Sequence, residues 1–500
     1  MQARGGPYII NSYPQSGDDP EPFAGAPGGP NRPLDGQFHY ANSFTLDNGG
    51  ERAYTSLPLQ TVAEFTIKSR LNSLGIAIRS KRRKRMHMSA SHTNRRIQLW
   101  TLLALLLLAA CPGSTYAATT TAVCANNIGI DRVLIQAAIN NSVAGDTIEL
   151  IGTCQLDGTA IFINTPNLTI KGPGAAGNWT TVVSGLTDLN GIPLDDGTAP
   201  SFLRFNRGLS IGPRTDSISG ITIQGIKFAN LNSAVDISPS IGGNSNLCSG
   251  MQITSGNASY ILVTNNWFDN DRRAVSNIGL SHHINITANL ITNSGFSNED
   301  ILSEGGFIEC FVPQRSFNAI QFPSDVSYQN NVIKSDHAHV APIFAENVQS
   351  ITIIKNAVTS GVAFAPILFI AQEAHVSQNV VNGLGSALAG IFDNQAFAPF
   401  VPFPTLDHQI SNNSITNISS AGIGIGVDSG IFGTVITNNQ FDTSGVVNIL
   451  LCDANANASP LAALECSGGG IASHDNLVIT THFGGTVLDL GSHNKVIGRP

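Results

Sequence analysis

Charged side chains make up only 12% of this 500-residue chain, so the places where they gather stand out. Two such runs are Asp269-Asn270-Asp271-Arg272-Arg273 and Lys334-Ser335-Asp336-His337-Ala338-His339. Each begins three residues past an Asn, Asn266 in one case and Asn331 in the other. The chemistry available there is proton transfer beside a neutralised anion. His337 or His339 can act as a base near neutral pH. Arg272, Arg273 or Lys334 can neutralise a negative group. Asp269 and Asp271 can bind Ca²⁺ through oxygen or serve as an acid. Between the runs, an insertion from about Phe296 to Asn318 adds Glu299, Asp300, Glu304, Glu309 and Arg315. Asp336, Arg315 and Glu304 are the expected substrate contacts. Loop charges are ordinarily solvated. What marks these is contrast, because the equivalent later segments are bland: Thr359-Ser360-Gly361, Asn382-Gly383 and Thr416-Asn417.

The elements that position these runs recur. Short β-branched stretches each end in an Asn: Asn266, Asn289, Asn331, Asn356, Asn379, Asn413 and Asn439. The base unit is 23–26 residues, with longer loops in places. Three before each Asn stands a large β-former, such as Val263, Ile286 or Tyr328. Two after it stands another apolar residue, such as Phe268, Ile291 or Ile333. This alternation predicts two short strands with one buried face each, and the Asn at the corner between them. Asn tolerates left-handed backbone and hydrogen-bonds through its side chain, so one per coil can form a ladder. A third strand is expected in Ala338–Ala345, Val362–Ile370, Ala421–Val427 and Val446–Leu451. Coils stack about 4.8 Å apart, so the charged runs and the insertion fall within ~10–15 Å on one face.

Three strands per coil of about 23 residues resembles the right-handed parallel β-helix repeat family, the pectate-lyase-like superfamily. The resemblance covers roughly Cys124 to Ile497. Ile135-Gln136-Ala137-Ala138-Ile139 reads as a short amphipathic helix, followed by Ala144–Leu150 and Asn167–Gly172. In the family such a helix plugs the open end of the stack, as solenoid ends require. The expected fold is therefore all-β, a parallel β-helix with an N-terminal capping helix. The resemblance implies substrate along the third-strand face and the loops feeding it. It implies a polysaccharide partner and lyase-like chemistry on uronate if the protein is catalytic. A non-catalytic, adhesin-like surface β-helix remains the alternative, since the fold is functionally broad. The chain lacks the WIDH and RxPxxR runs of many pectate lyases, the NTD…DD…GHG series of polygalacturonases and the DPHD signature of mannuronan epimerases, which disfavours those hydrolases and epimerases. Phe392, Phe397, Phe400 and Phe403 are expected to fold an apolar loop over the strand Val362–Ile370. No cofactor is expected, or Ca²⁺ alone.

Charge also divides the chain. Residues 1–96 hold 13 Lys+Arg against 7 acids, net +6; residues 97–500 hold 13 against 27, net −14. So acidic a body argues against nucleic acid. Residues 1–85 lack periodicity and are expected to be a leader, with the true start at Met86 or Met88. Residues 86–117 read as an export signal, because Asn94-Arg95-Arg96 precedes an apolar run of about 14 residues from Ile97, short for a span. Leu108-Ala109-Ala110-Cys111 resembles a bacterial lipobox, with Cys111 as the lipidated residue; ordinary cleavage after Ala117 stays open. The expected address is exported and bacterial, either as an outer-membrane or cell-surface lipoprotein or as a secreted protein, with membrane contact only through the anchor. Removing Cys111 leaves six of seven cysteines, and the simplest pairing is Cys124–Cys154, Cys248–Cys310 and Cys452–Cys466. Residues 118–500 are the expected β-helix domain.

Overall fold

Alternation along each strand decides what turns inward. In the strand Ser281–Thr287, Ile284 and Ile286 are buried while their neighbours are partly or fully exposed. The same parity recurs in coil after coil of the computed structural model. It describes residues 117–174, 177–194, 206–211, 217–237, 257–278, 281–304, 323–394, 407–442, 447–453, 466, 471–480 and 486–498. The expected leader, the expected export signal with Cys111, Cys248, Cys310, Arg315 and the loop with Phe397, Phe400 and Phe403 lie outside the described residues, as does the side chain of Glu304.

The chain folds as a parallel β-helix. Second strands form a ten-stranded sheet that runs from Thr153–Gln155 through Trp267–Asp269, Leu290–Thr292 and Val332–Ser335 to Gln440–Asp442. First and third strands make up the other sheet. The residue pattern implies third strands that end at Ala345 and Ile370. Instead, the strands Ala341–Ile354 and Ile367–Ser377 run on into the first strand of the next coil. The junction is absorbed by a register shift between Ala345 and Val348, so no separate turn is needed.

The core is a set of stacked columns. Val235, Val275, Ile301, Ile343 and Ile367 are in register across five coils and fully buried. Phe228 and Phe268 stack at 5.2 Å beneath the ten-stranded sheet. Each such side chain contributes roughly 1.5–3 kcal/mol of burial. At the first corner, each ladder Asn from Asn266 to Asn413 donates its Nδ2 to the Oδ1 of the next, at 2.9–3.3 Å. The left-handed residue is the one before the ladder Asn, and it includes Ala288 (φ 54), Lys355 (φ 57) and Gln378 (φ 57). The ladder Asn is therefore needed for its side chain and not for its backbone freedom.

The helix Asp131–Asn140 closes one end and buries Ile135, Ala138 and Ile139 against the first coil. Asp131, itself buried, anchors it by accepting from the N–H groups of Ala125, Asn127 and Gln155 at 3.0, 2.8 and 2.9 Å. Disulfides join Cys124 to Cys154 and Cys452 to Cys466.

Candidate functional site

The two charged runs both follow second strands, so the fold sets them at the same corner with one coil between. That middle coil supplies the contacts. Arg272 Nε donates to Ser297 Oγ at 3.3 Å, and its Nη1 donates to the Pro193 carbonyl at 3.3 Å. The His337 ring stacks on the neighbouring Phe296 with centroids 3.9 Å apart. Arg272 and His337 therefore bracket the adjacent pair Phe296-Ser297, two coil spacings or about 10 Å apart. Burial lowers the His337 pKa below its ordinary value; Asp336 opposes this and His339 adds to it. The shift favours the neutral imidazole more than in an ordinary histidine. Asp336 and His339 are exposed beside it.

Arg273 goes elsewhere. Its Nη2 lies 2.6 Å from Glu299 Oε2, and both side chains are almost buried, at 10% and 7% exposure. Burial raises the Glu299 pKa, though Arg273 works against it. Asp300, the next residue, is fully buried. Among the described residues, no donor lies within bonding geometry of either of its carboxyl oxygens. Its pKa is pushed up to about 7, chiefly by burial and further by Glu299 and Asp336, while the nearby Ser335 hydroxyl favours the charge. Lys334 is exposed on the outer face of the sheet, in register with Thr292 and Thr359.

The two aspartates of the first run part company. Asp269 lies on the outer face, where its carboxylate meets Lys227 at 2.8 Å, Thr292 Oγ1 at 2.9 Å and Asn293 Nδ2 at 3.0 Å. Burial opposes its charge, yet these partners hold its pKa below the usual value. Asp271 is fully buried and accepts from the Leu231 N–H at 2.8 Å; burial drives its pKa well up. A carboxylate already tied to a lysine and a carboxyl sealed from water do not fit a shared Ca²⁺ site. Among the described residues, no three His, Cys, Asp or Glu side chains converge as a metal site.

Residue pattern alone missed one buried polar cluster. His408 Nδ1 lies 2.7 Å from Asp393 Oδ2, and its Nε2 lies 3.0 Å from the Ala371 carbonyl. Thr434 Oγ1 donates to the same Asp393 oxygen at 3.3 Å. The signal was present: His408 stands two before the inward Ile410, so alternation turns it into the core.

The molecule is thus a parallel β-helix, with an arginine and a histidine flanking one aromatic-serine pair at a coil corner. The chain is similar to several solved structures. An alginate lyase from a Paenibacillus species has 12% identity and a TM-score of 0.37, over 66% of this chain and 97% of that one. The A-module of mannuronan C-5 epimerase AlgE4 from Azotobacter vinelandii has 12% identity and a TM-score of 0.32, over 73% and 91%. The surface protein and adhesin PfbA of Streptococcus pneumoniae has 13% identity and a TM-score of 0.29, over 74% and 94%. No protein-family model and no curated protein matches the chain. Likeness at this level says nothing about chemistry, which must come from the side chains themselves.

Proposed function

We propose that the chain binds an acidic polysaccharide at this corner and cleaves it by β-elimination. The observation that supports this reading is the pairing of a base, His337, with a cation, Arg272, on either side of Phe296-Ser297. A uronate carboxylate held by Arg272 acidifies the adjacent C5–H. His337 takes that proton, and the freed electron pair forms the C4=C5 double bond as the C4–O bond breaks. The departing oxygen is protonated by water. A general base of this kind contributes about 10²–10⁴-fold.

The test is a panel of uronate polysaccharides followed by the absorbance of the unsaturated product. His337→Ala and Arg272→Ala should each lose at least about 100-fold in rate. In the native protein the rate should rise with pH through the lowered His337 pKa. Full activity in both variants would overturn the assignment. A second reading, a non-catalytic surface β-helix, is favoured by the ion-paired state of Arg273 and Asp269. It predicts glycan binding with no unsaturated product from any substrate. Under either reading we place the protein outside the cytoplasm. The two disulfides support this, because such bonds persist in oxidising compartments. Lipidation at Cys111 belongs to the same proposal, and the intact mass of the membrane fraction tests it.

A further inference from the structure

We propose that the outer face of the ten-stranded sheet carries a second saccharide site, built on Trp179 and Trp267, which takes one acidic pyranose ring. It shares the acidic-glycan substrate of the reading above but none of its residues.

The chain has three tryptophans. Trp100 lies in the apolar run of the export signal, so the β-helix has two, and the fold brings them together. Their ring centroids are 5.6 Å apart with planes tilted by 52°. Nothing in the repeat requires an aromatic at position 267. Leu290, Val332 and Ala357 occupy the same column in the following coils. Both indoles are held in place. Trp179 Nε1 donates to the Asn265 carbonyl at 2.7 Å, and Trp267 Nε1 donates to Thr292 Oγ1 at 2.8 Å. Lys227 Nζ sits 3.6 Å from the Trp267 ring centre and 2.8 Å from Asp269, which covers one indole face. Both rings nevertheless stay partly exposed. Rings fixed before binding lose little freedom when a ligand arrives.

A groove of about 240 Å³ adjoins Trp179 through Asn265, whose carbonyl accepts from that indole, though neither indole is part of the groove wall. Its lining includes Lys171, Gln224, Asn265 and the backbone at Gly172, Gly174 and Gly225. Asn265 is thus both groove wall and support for Trp179. The glycines let the backbone segments that form its wall approach closely: a Cβ on Gly172 would lie 2.2 Å from the Gly225 carbonyl oxygen, and Gly225 has φ +70. The volume falls below the roughly 300 Å³ lower bound for drug-sized ligands, which suits a single ring. An indole offers its face to the C–H side of a sugar. Gln224 and the backbone offer hydrogen bonds to its hydroxyls. Lys171 offers a cation, since it stands a loose 3.5 Å from Glu149 with 33% of its side chain exposed.

The test is a fluorescence titration of the full chain, in which the tryptophan pair reports on its own site. The probes are hexamers of galacturonate and mannuronate, with neutral cellohexaose as comparison. A saturable emission change with the uronates is expected. Trp179→Ala should weaken uronate binding at least tenfold, and Trp179→Phe should stay within about threefold of native. Lys171→Gln should weaken the uronates and leave cellohexaose unchanged. Arg272→Ala and His337→Ala should keep the full fluorescence response, so failure of the corner chemistry is read separately from failure here. An unchanged dissociation constant in Trp179→Ala, or no emission change with any hexamer, overturns the proposal. If Trp179→Ala does not fold by circular dichroism, Lys171→Gln decides alone: equal loss for charged and neutral hexamers, or none for either, is the overturning result.

Discussion

Replacing Asn356 by Ala cuts the ladder at a central rung. Asn356 is 1% exposed. Its Oδ1 accepts from the Asn331 backbone N–H and from Asn331 Nδ2, both at 3.0 Å. Its Nδ2 donates to the Tyr328 carbonyl at 2.9 Å and to Asn379 Oδ1 at 3.0 Å. Alanine removes all four bonds, but not every partner is stranded. Asn331 Nδ2 keeps the Ile286 carbonyl, and Asn379 Oδ1 keeps the Asn356 backbone N–H. The Asn331 N–H is left without its acceptor and the Tyr328 carbonyl without this donor. A buried polar group stranded in this way costs about 1–3 kcal/mol, so the variant should lose about 2–4 kcal/mol. Asn439 is the control, because it ends this run and is only partly buried. Water can replace its bonds to Asn413 and Ile410, so Asn439→Ala should lose about 1 kcal/mol or less. Urea unfolding followed by circular dichroism measures both, with the midpoint multiplied by a common slope. Equal losses in the two variants would refute the ladder as a source of stability. So would a loss below about 0.5 kcal/mol in Asn356→Ala, the scatter of neutral surface changes.

Two buried titrating groups give opposite routes to the same pH trend. Asp300 has its pKa raised to about 7, so the native state binds its proton more tightly and stability falls as pH climbs from about 4 to about 7. Asp300→Asn should therefore be the more stable form at pH 8, by at most about 4 kcal/mol, and the gap should close towards pH 4 in urea midpoints; a gap independent of pH would reject this. Burial disfavours charge on His408, but Asp393 and the Ala371 carbonyl prevail and raise its pKa. Its stabilisation is complete below the unfolded value of about 6.5 and is lost as pH rises through the raised folded value. The stability gap between native and His408→Gln should be wide at pH 6 and narrow by pH 9, and a flat gap would count against the ion pair.

Much of the scaffold was legible because it follows one local rule. The spacing of Asn289, Asn331 and Asn356 survives insertions, since a ladder tolerates any loop length that returns the next Asn to the corner. Inward parity was equally visible in Val263 and Ile286. Partners were harder to read. Arg273 and Glu299 are 26 residues apart and Asp393 and His408 are 15 apart, across turns whose lengths vary. Pairing across coils depends on register, and one extra loop residue changes it without altering the strand pattern. The merged strand Ala341–Ile354 went unseen for the same reason: a bulge replaces a turn and leaves no Gly or Pro behind.

The division among the charges follows from where each stands on the coil. A charge turned towards the interior must find a partner or become neutral, which for a carboxylate means taking up a proton. Arg273 found Glu299, while Asp271 and Asp300 moved towards the neutral form. A charge on a strand's outer face meets the same face of the next coil about 4.8 Å away, as Asp269 meets Lys227. Both settings spend the charge within the scaffold. The corner differs, because left-handed residues such as Asn270, Asn293 and Asn298 interrupt the alternation there and let side chains leave the columns. Arg272 and His337 sit at that interruption and flank Phe296-Ser297. On the proposed β-elimination reading, the chemistry falls to these two corner residues, which stand off the stacked core columns.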